Sequence, residues 1–138
     1  MTKKISKNKK KVAKIAMNTI PILVVFLFEW LGFLNYNMAD DYIMNTISAG
    51  FQTGTPNEHI VFINSIYGIL VKGLYSIIKS INWFGMGYLV TMLLCIYVLK
   101  NIFDKKVNKY ISLLAAIILE MVILTWMTFT VLAYLCVI

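Results

Sequence analysis

Apolar residues run almost unbroken from Ile15 to Leu34, from Trp83 to Leu99 and from Ile111 to Ile138. A helix rises about 1.5 Å per residue, so about twenty apolar residues cross the roughly 30 Å hydrocarbon core of a bilayer. The first run meets that length and the second is at its short end. Pro21 falls in the first turns of the first run, where a missing N–H costs little. Trp30 and Tyr36 sit near its far end, and Trp83 and Tyr97 near the two ends of the second run. Amphipathic rings favour those interfacial depths. The third run carries Glu120, Thr125, Thr128 and Thr130 as its polar exceptions.

Between the first two runs the pattern changes. Residues 35–58 hold the turn formers Asn35, Asn37, Gly50, Gly54, Pro56 and Asn57, which predict a loop. Asp41 to Ala49 has the length for one short helix inside it, and 50–56 should be irregular. Residues 59–78 are long enough to span, but Asn64, Gly68, Lys72 and Ser76 recur at helical spacing, with Lys79 beyond. Ile60, Ile63, Tyr67, Leu70, Leu74 and Ile77 line another face. That pattern predicts an amphipathic helix able to lie on a membrane surface.

Composition supports a bilayer as the solvent. The chain is 60% hydrophobic and 14% charged over 138 residues, with a mean hydropathy of +0.79. Soluble domains have roughly 45–50% apolar residues. The length allows one membrane domain, residues 15–138, behind a basic tail, residues 1–14, expected to be disordered until it meets lipid. The net charge of +7 is uneven: Lys3, Lys4, Lys7, Lys9, Lys10, Lys11 and Lys14 all precede the first run. A basic segment abutting an apolar run reads as a cytoplasmic anchor on anionic lipid and not as a nucleic-acid site. No small-x-small cleavage pattern follows, and Glu29-Trp30 interrupts the apolar core, so the segment reads as an anchor and not as a cleaved signal peptide. The lysine, asparagine and isoleucine bias, without arginine, suggests a bacterial source.

Charge also bears on topology. Lys100, Lys105, Lys106 and Lys109 follow the second run. If 59–78 lies on the surface, there are three spans (15–34, 83–99 and 111–138), and both lysine clusters are cytoplasmic. If 59–78 crosses, there are four spans, and the clusters fall on opposite sides. The positive-inside rule favours three spans with an amphipathic outer-surface helix over the four-span alternative. Both arrangements place 35–58 outside.

The chain therefore reads as an all-α integral membrane protein, and its candidate chemistry lies on the outer face. Asp40-Asp41 is its one adjacent carboxylate pair. It suits a divalent cation, a general base on a hydroxyl, or the orientation of an acceptor. Adjacent side chains point different ways, so one of the two would face a substrate. The plainer reading is a pair capping a short helix from Tyr42. Glu58-His59 can likewise cap the amphipathic helix, or His59 and Asn64 can face the acidic pair across a cleft. His59 is the chain's one histidine, the residue type whose ordinary pKa lies near neutrality. Lys72 suits an anionic phosphate, or snorkels to headgroups. Glu29 and Glu120 lie inside apolar runs, where a carboxylate costs about 2.5–3.5 kcal/mol near the bilayer centre. Cys95 and Cys136 lie apart in apolar runs and, with one histidine, cannot build a zinc site. Gly85-Met86-Gly87 lacks the strand and third glycine of a nucleotide-binding loop.

A first span, an outer acidic pair just after it, an outer segment with an amphipathic helix, then a second span: this arrangement, over roughly Ile15 to Leu99, resembles the N-terminal part of bacterial multi-span GT-C glycosyltransferases. The stretch Thr55-Pro-Asn-Glu-His-Ile-Val-Phe-Ile-Asn-Ser-Ile-Tyr-Gly68, with Asn82-Trp83, is similar to bacterial membrane proteins of that type. The resemblance implies sugar transfer from a polyprenyl-phosphate donor to a cell-envelope glycan acceptor. Asp40 or Asp41 would be the base or metal-linked carboxylate, and His59, Asn64 and Lys72 substrate contacts. Such enzymes have many more spans, so the chain is expected to be a truncated or split N-terminal module completed by further membrane subunits. The alternative is a small non-enzymatic multi-span protein, a flippase-like transporter or accessory subunit, with Glu29, Lys72 and Glu120 facing inward.

Overall fold

A computed structural model describes residues 2–34, 36, 38–61 and 63–137, with the side chains of residues 2–11 outside the description. The expected turn formers Asn35 and Asn37 lie outside the described residues, as do the lysine side chains from Lys3 to Lys11. The described residues form six helices and no strand: α1 (Thr2–Trp30), α2 (Ala39–Ala49), α3 (Ser65–Ile77), α4 (Trp83–Phe103), α5 (Lys109–Thr125) and α6 (Phe129–Val137). Two of them, α1 over Val12–Trp30 and α4, are long and apolar enough to cross a membrane.

Several expectations shift. The basic tail, read as disordered, is helical from Thr2 and continuous with the first apolar run. Lysine propagates a helix well once a neighbouring segment has nucleated it. The second run extends to Phe103, four residues beyond Leu99. The third, read as one span over 111–138, is two helices parted at 126–128. At the break the Thr125 hydroxyl donates back to the Val122 carbonyl, at 2.9 Å, and the Thr128 hydroxyl accepts from the Val131 N–H, at 3.2 Å. Threonine side chains compete in this way with the helical ladder.

The chain divides into two compact units, Met1–Asn35 with Met92–Thr125, and Tyr36–Thr91 with Trp126–Ile138. In the first unit α1 packs on α5. Lys100, buried near the end of α4, pairs with Asp104 at 2.9 Å, and the Ser112 hydroxyl donates to the Lys100 carbonyl at 3.1 Å. Burial opposes ionisation of Asp104, but the hydrogen bond and charge of Lys100 outweigh it and hold the carboxyl below its ordinary range.

The second unit contains every candidate site residue. Its core is Met44, Ile60, Val71, Tyr75, Phe84, Tyr88 and Met127. Phe84 and Tyr88 meet at a tilt of 44° with ring centroids 4.9 Å apart, and Tyr36 meets Tyr88 edge-on at 6.3 Å. Helix α2 ends at Gly50, whose φ of 77° is the left-handed cap conformation that glycine adopts without strain. Helix α3 starts at Ser65, six residues after the expected His59, because the Asn64 side chain accepts the Ile66 N–H at 2.9 Å.

Candidate functional site

The acidic pair opens α2 and divides in two. Both aspartates lie in the first turn, where the helix dipole favours negative charge. The pair does not cap a helix from Tyr42, as expected: the helix begins at Ala39, and its N-cap, Met38, makes no side-chain cap bond. Successive residues on a helix point about 100° apart, so Asp40 is exposed while Asp41 is 2% exposed. The buried carboxylate has two donors. The Tyr88 hydroxyl reaches Asp41 Oδ1 at 2.8 Å, and the Phe129 N–H, at the start of α6, reaches it at 3.0 Å. Asp41 thereby ties α2 to α4 and α6.

A second polar system adjoins the aromatic core. Asn82 precedes α4 and accepts the Gly85 N–H at 2.9 Å, capping the helix. Its amide also meets the Tyr36 hydroxyl at 3.0 Å. The Tyr75 hydroxyl sits 2.8 Å from Asn45 Oδ1 and 3.2 Å from Asn82 Oδ1. The Tyr67 hydroxyl donates to the Phe84 carbonyl at 3.3 Å. Burial raises the phenols of Tyr36 and Tyr75 above their ordinary value and pushes Tyr67 up to about 12. These hydroxyls are therefore neutral donors at neutral pH. Sequence reasoning did not single out Tyr75, Tyr88 or Asn45. The available signal was a set of tyrosines in apolar segments, each needing a hydrogen-bond partner once buried.

The remaining candidates are largely engaged in structure. Glu58 does not cap α3; it pairs with Lys72. Hydrogen bonding from Lys72 lowers the Glu58 carboxyl below its ordinary value. The loop lies so close that a Cβ on Gly68 would meet the Glu58 carbonyl. Asn64 uses its side-chain oxygen as the cap of α3. His59 has a side chain 81% exposed, with Nε2 3.8 Å from Glu58 Oε1. Asp40 and His59 are thus the two candidates whose functional atoms face outward from this unit.

One oxygen of Asp41 already accepts two hydrogen bonds inside the core, and Asp40 is exposed. Among the described residues no three His, Cys, Asp or Glu side chains gather as a cation site. Of the other charged residues, Glu29 is exposed, Lys72 is paired with Glu58, and Glu120 is buried.

Comparison with protein-family models, curated proteins and solved structures finds no match.

Proposed function

We propose that this chain is a glycosyltransferase-like membrane protein of the GT-C type, acting as an N-terminal module. It would transfer a sugar from a polyprenyl-phosphate donor to a cell-envelope glycan on the outer face of a bacterial membrane. The supporting observation is the division of labour at Asp40-Asp41. A general base must reach its substrate and hold a fixed position. Asp40 is exposed at the first turn of α2, and Asp41 fixes that turn through Tyr88 and Phe129.

In this reading Asp40 takes the proton of an acceptor hydroxyl as that oxygen attacks the anomeric carbon. The glycosidic C–O bond forms, the C–O bond to the phosphate breaks, and polyprenyl phosphate leaves. Asp41 is a positioning residue. His59 is the remaining substrate contact, while Lys72 and Asn64 hold the loop before α3 and the start of that helix. Further membrane subunits or spans supply the rest of the lipid-donor cavity, and the N-terminus is cytoplasmic.

The test measures sugar incorporation into membrane glycan from a panel of polyprenyl-phosphate sugars. It uses membranes lacking the protein and complemented with wild type or Asp40→Asn. Loss of a general base lowers transfer by about 100-fold or more at unchanged protein level. Equal transfer in Asp40→Asn and wild type would sink the proposal.

A further inference from the structure

Glu120 is the buried ionisable group that this reading leaves unused. It is 0% exposed, and neither carboxyl oxygen has a hydrogen-bond partner. Its helix, α5, buries Ser112, Ala116, Ile123 and Leu124 beside it. A carboxylate can stay ionised in such a place when a cation or several donors face it.

The surrounding charges are placed elsewhere. Helix α1, which packs on α5, carries Lys14 and Glu29 as its described ionisable side chains. Lys14 acts on Asp104, near the cytoplasmic-loop end, and Glu29 is exposed. On α4, Lys100 is committed to Asp104. On α5 itself, Lys109 lies over the Tyr110 ring at 5.5 Å, at the start of the helix. No described cation faces Glu120. A methionine or leucine would fill the same volume with no polar group to satisfy, so the acid is not explained by packing.

We propose that Glu120 is a buried proton-binding site: its carboxyl, on the buried face of α5 with Ser112 and Ala116, holds an exchangeable proton and is a modification site for hydrophobic carbodiimides. In that modification the acid proton passes to a carbodiimide nitrogen and the carboxyl oxygen bonds to the central carbon. The O-acylisourea then rearranges to a stable N-acylurea, and nothing is oxidised or reduced. An apolar reagent reaches the site through lipid, whereas a charged one is excluded.

Membranes containing the full chain are treated at neutral pH with dicyclohexylcarbodiimide or with a cationic, water-soluble carbodiimide, and the adducts are mapped by mass spectrometry. The expected result is an adduct at Glu120 with the apolar reagent, absent in Glu120→Gln and kept in Glu29→Gln. An unmodified Glu120, or equal modification by both reagents, overturns the proposal. Infrared difference spectra of wild type minus Glu120→Gln give a second readout. A carboxylic-acid carbonyl band is expected, and carboxylate bands in its place overturn the proposal. If Glu120→Gln fails to fold, the wild-type adduct map decides alone.

Discussion

At the scale of single residues, Asp41 is the most consequential side chain of its unit. One buried oxygen accepts from a phenol on α4 and from the first N–H of α6. Hydrogen bonds to a charged group contribute about 1.5–3 kcal/mol each, and donors left buried without a partner add their own desolvation cost. Asp41→Ala strands both donors and is expected to lower stability by about 3–5 kcal/mol. Asp41→Asn keeps one acceptor oxygen and should lose less than half of that. Thermal unfolding of the detergent-solubilised chain checks the order, wild type above Asn above Ala. An Ala variant as stable as wild type would mean that the two bonds do not anchor α2. Asp40→Asn should leave the midpoint unmoved, since that side chain faces outward.

At the scale of elements, α3 separates structural constraint from surface chemistry. Gly68 sits where the Glu58 backbone crosses the helix, while Gly73, one and a half turns on, has nothing within 4 Å of an added Cβ. Gly68→Ala should cost about 1–3 kcal/mol by overpacking. Gly73→Ala should gain up to about 1 kcal/mol, because alanine is the better helix former. Melting curves of the two variants check both signs, and a neutral Gly68→Ala would rule out the close crossing.

The same helix shows what the sequence made legible and what it did not. Its existence and amphipathic character follow from spacing alone, as does the short helix α2. Its orientation does not. The face that reads as polar, through Asn64, Gly68 and Lys72, turns toward the loop, with Gly68 buried. The stripe left exposed is Ile66, Ile69, Leu70 and Ile77. Periodicity locates two faces but does not say which one meets protein. That depended on the Glu58–Lys72 pair and the buried Tyr75, both long-range features. The break at 126–128 was equally hidden, since the donor satisfied by Asp41 lies 88 residues away. For the site, the sequence marked Asp40-Asp41 as the pair to watch. It could not say which member was buried, because the start of α2 moved from Tyr42 to Ala39.

At the scale of the whole molecule, outward apolarity is the argument for lipid. Ile22, Leu23, Phe26, Leu27 and Trp30 on α1 are exposed, as are Val90, Leu94, Tyr97 and Val98 on α4. A stretch of α1 meeting the length and hydropathy of a span has 17% of its residues buried, and one of α4 has 22%. A core helix of a water-soluble protein would bury most of such a surface. If both helices cross the membrane, the lysines before α1 and those after α4 lie on one side provided that the segment between them does not cross. That segment is α3, thirteen residues long, and at about 1.5 Å per residue it falls well short of the roughly 30 Å hydrocarbon core. Single cysteines at Lys14, Asn57 and Asn108, in a background with Cys95 and Cys136 replaced, test this in sealed right-side-out membrane vesicles. A membrane-impermeant maleimide should label position 57 directly, and positions 14 and 108 only after permeabilisation. Direct labelling of position 108 would mean that 59–78 crosses the bilayer. It would put the α4–α5 lysines on the same side as Asp40 and leave Lys72, with its Glu58 partner, at membrane depth.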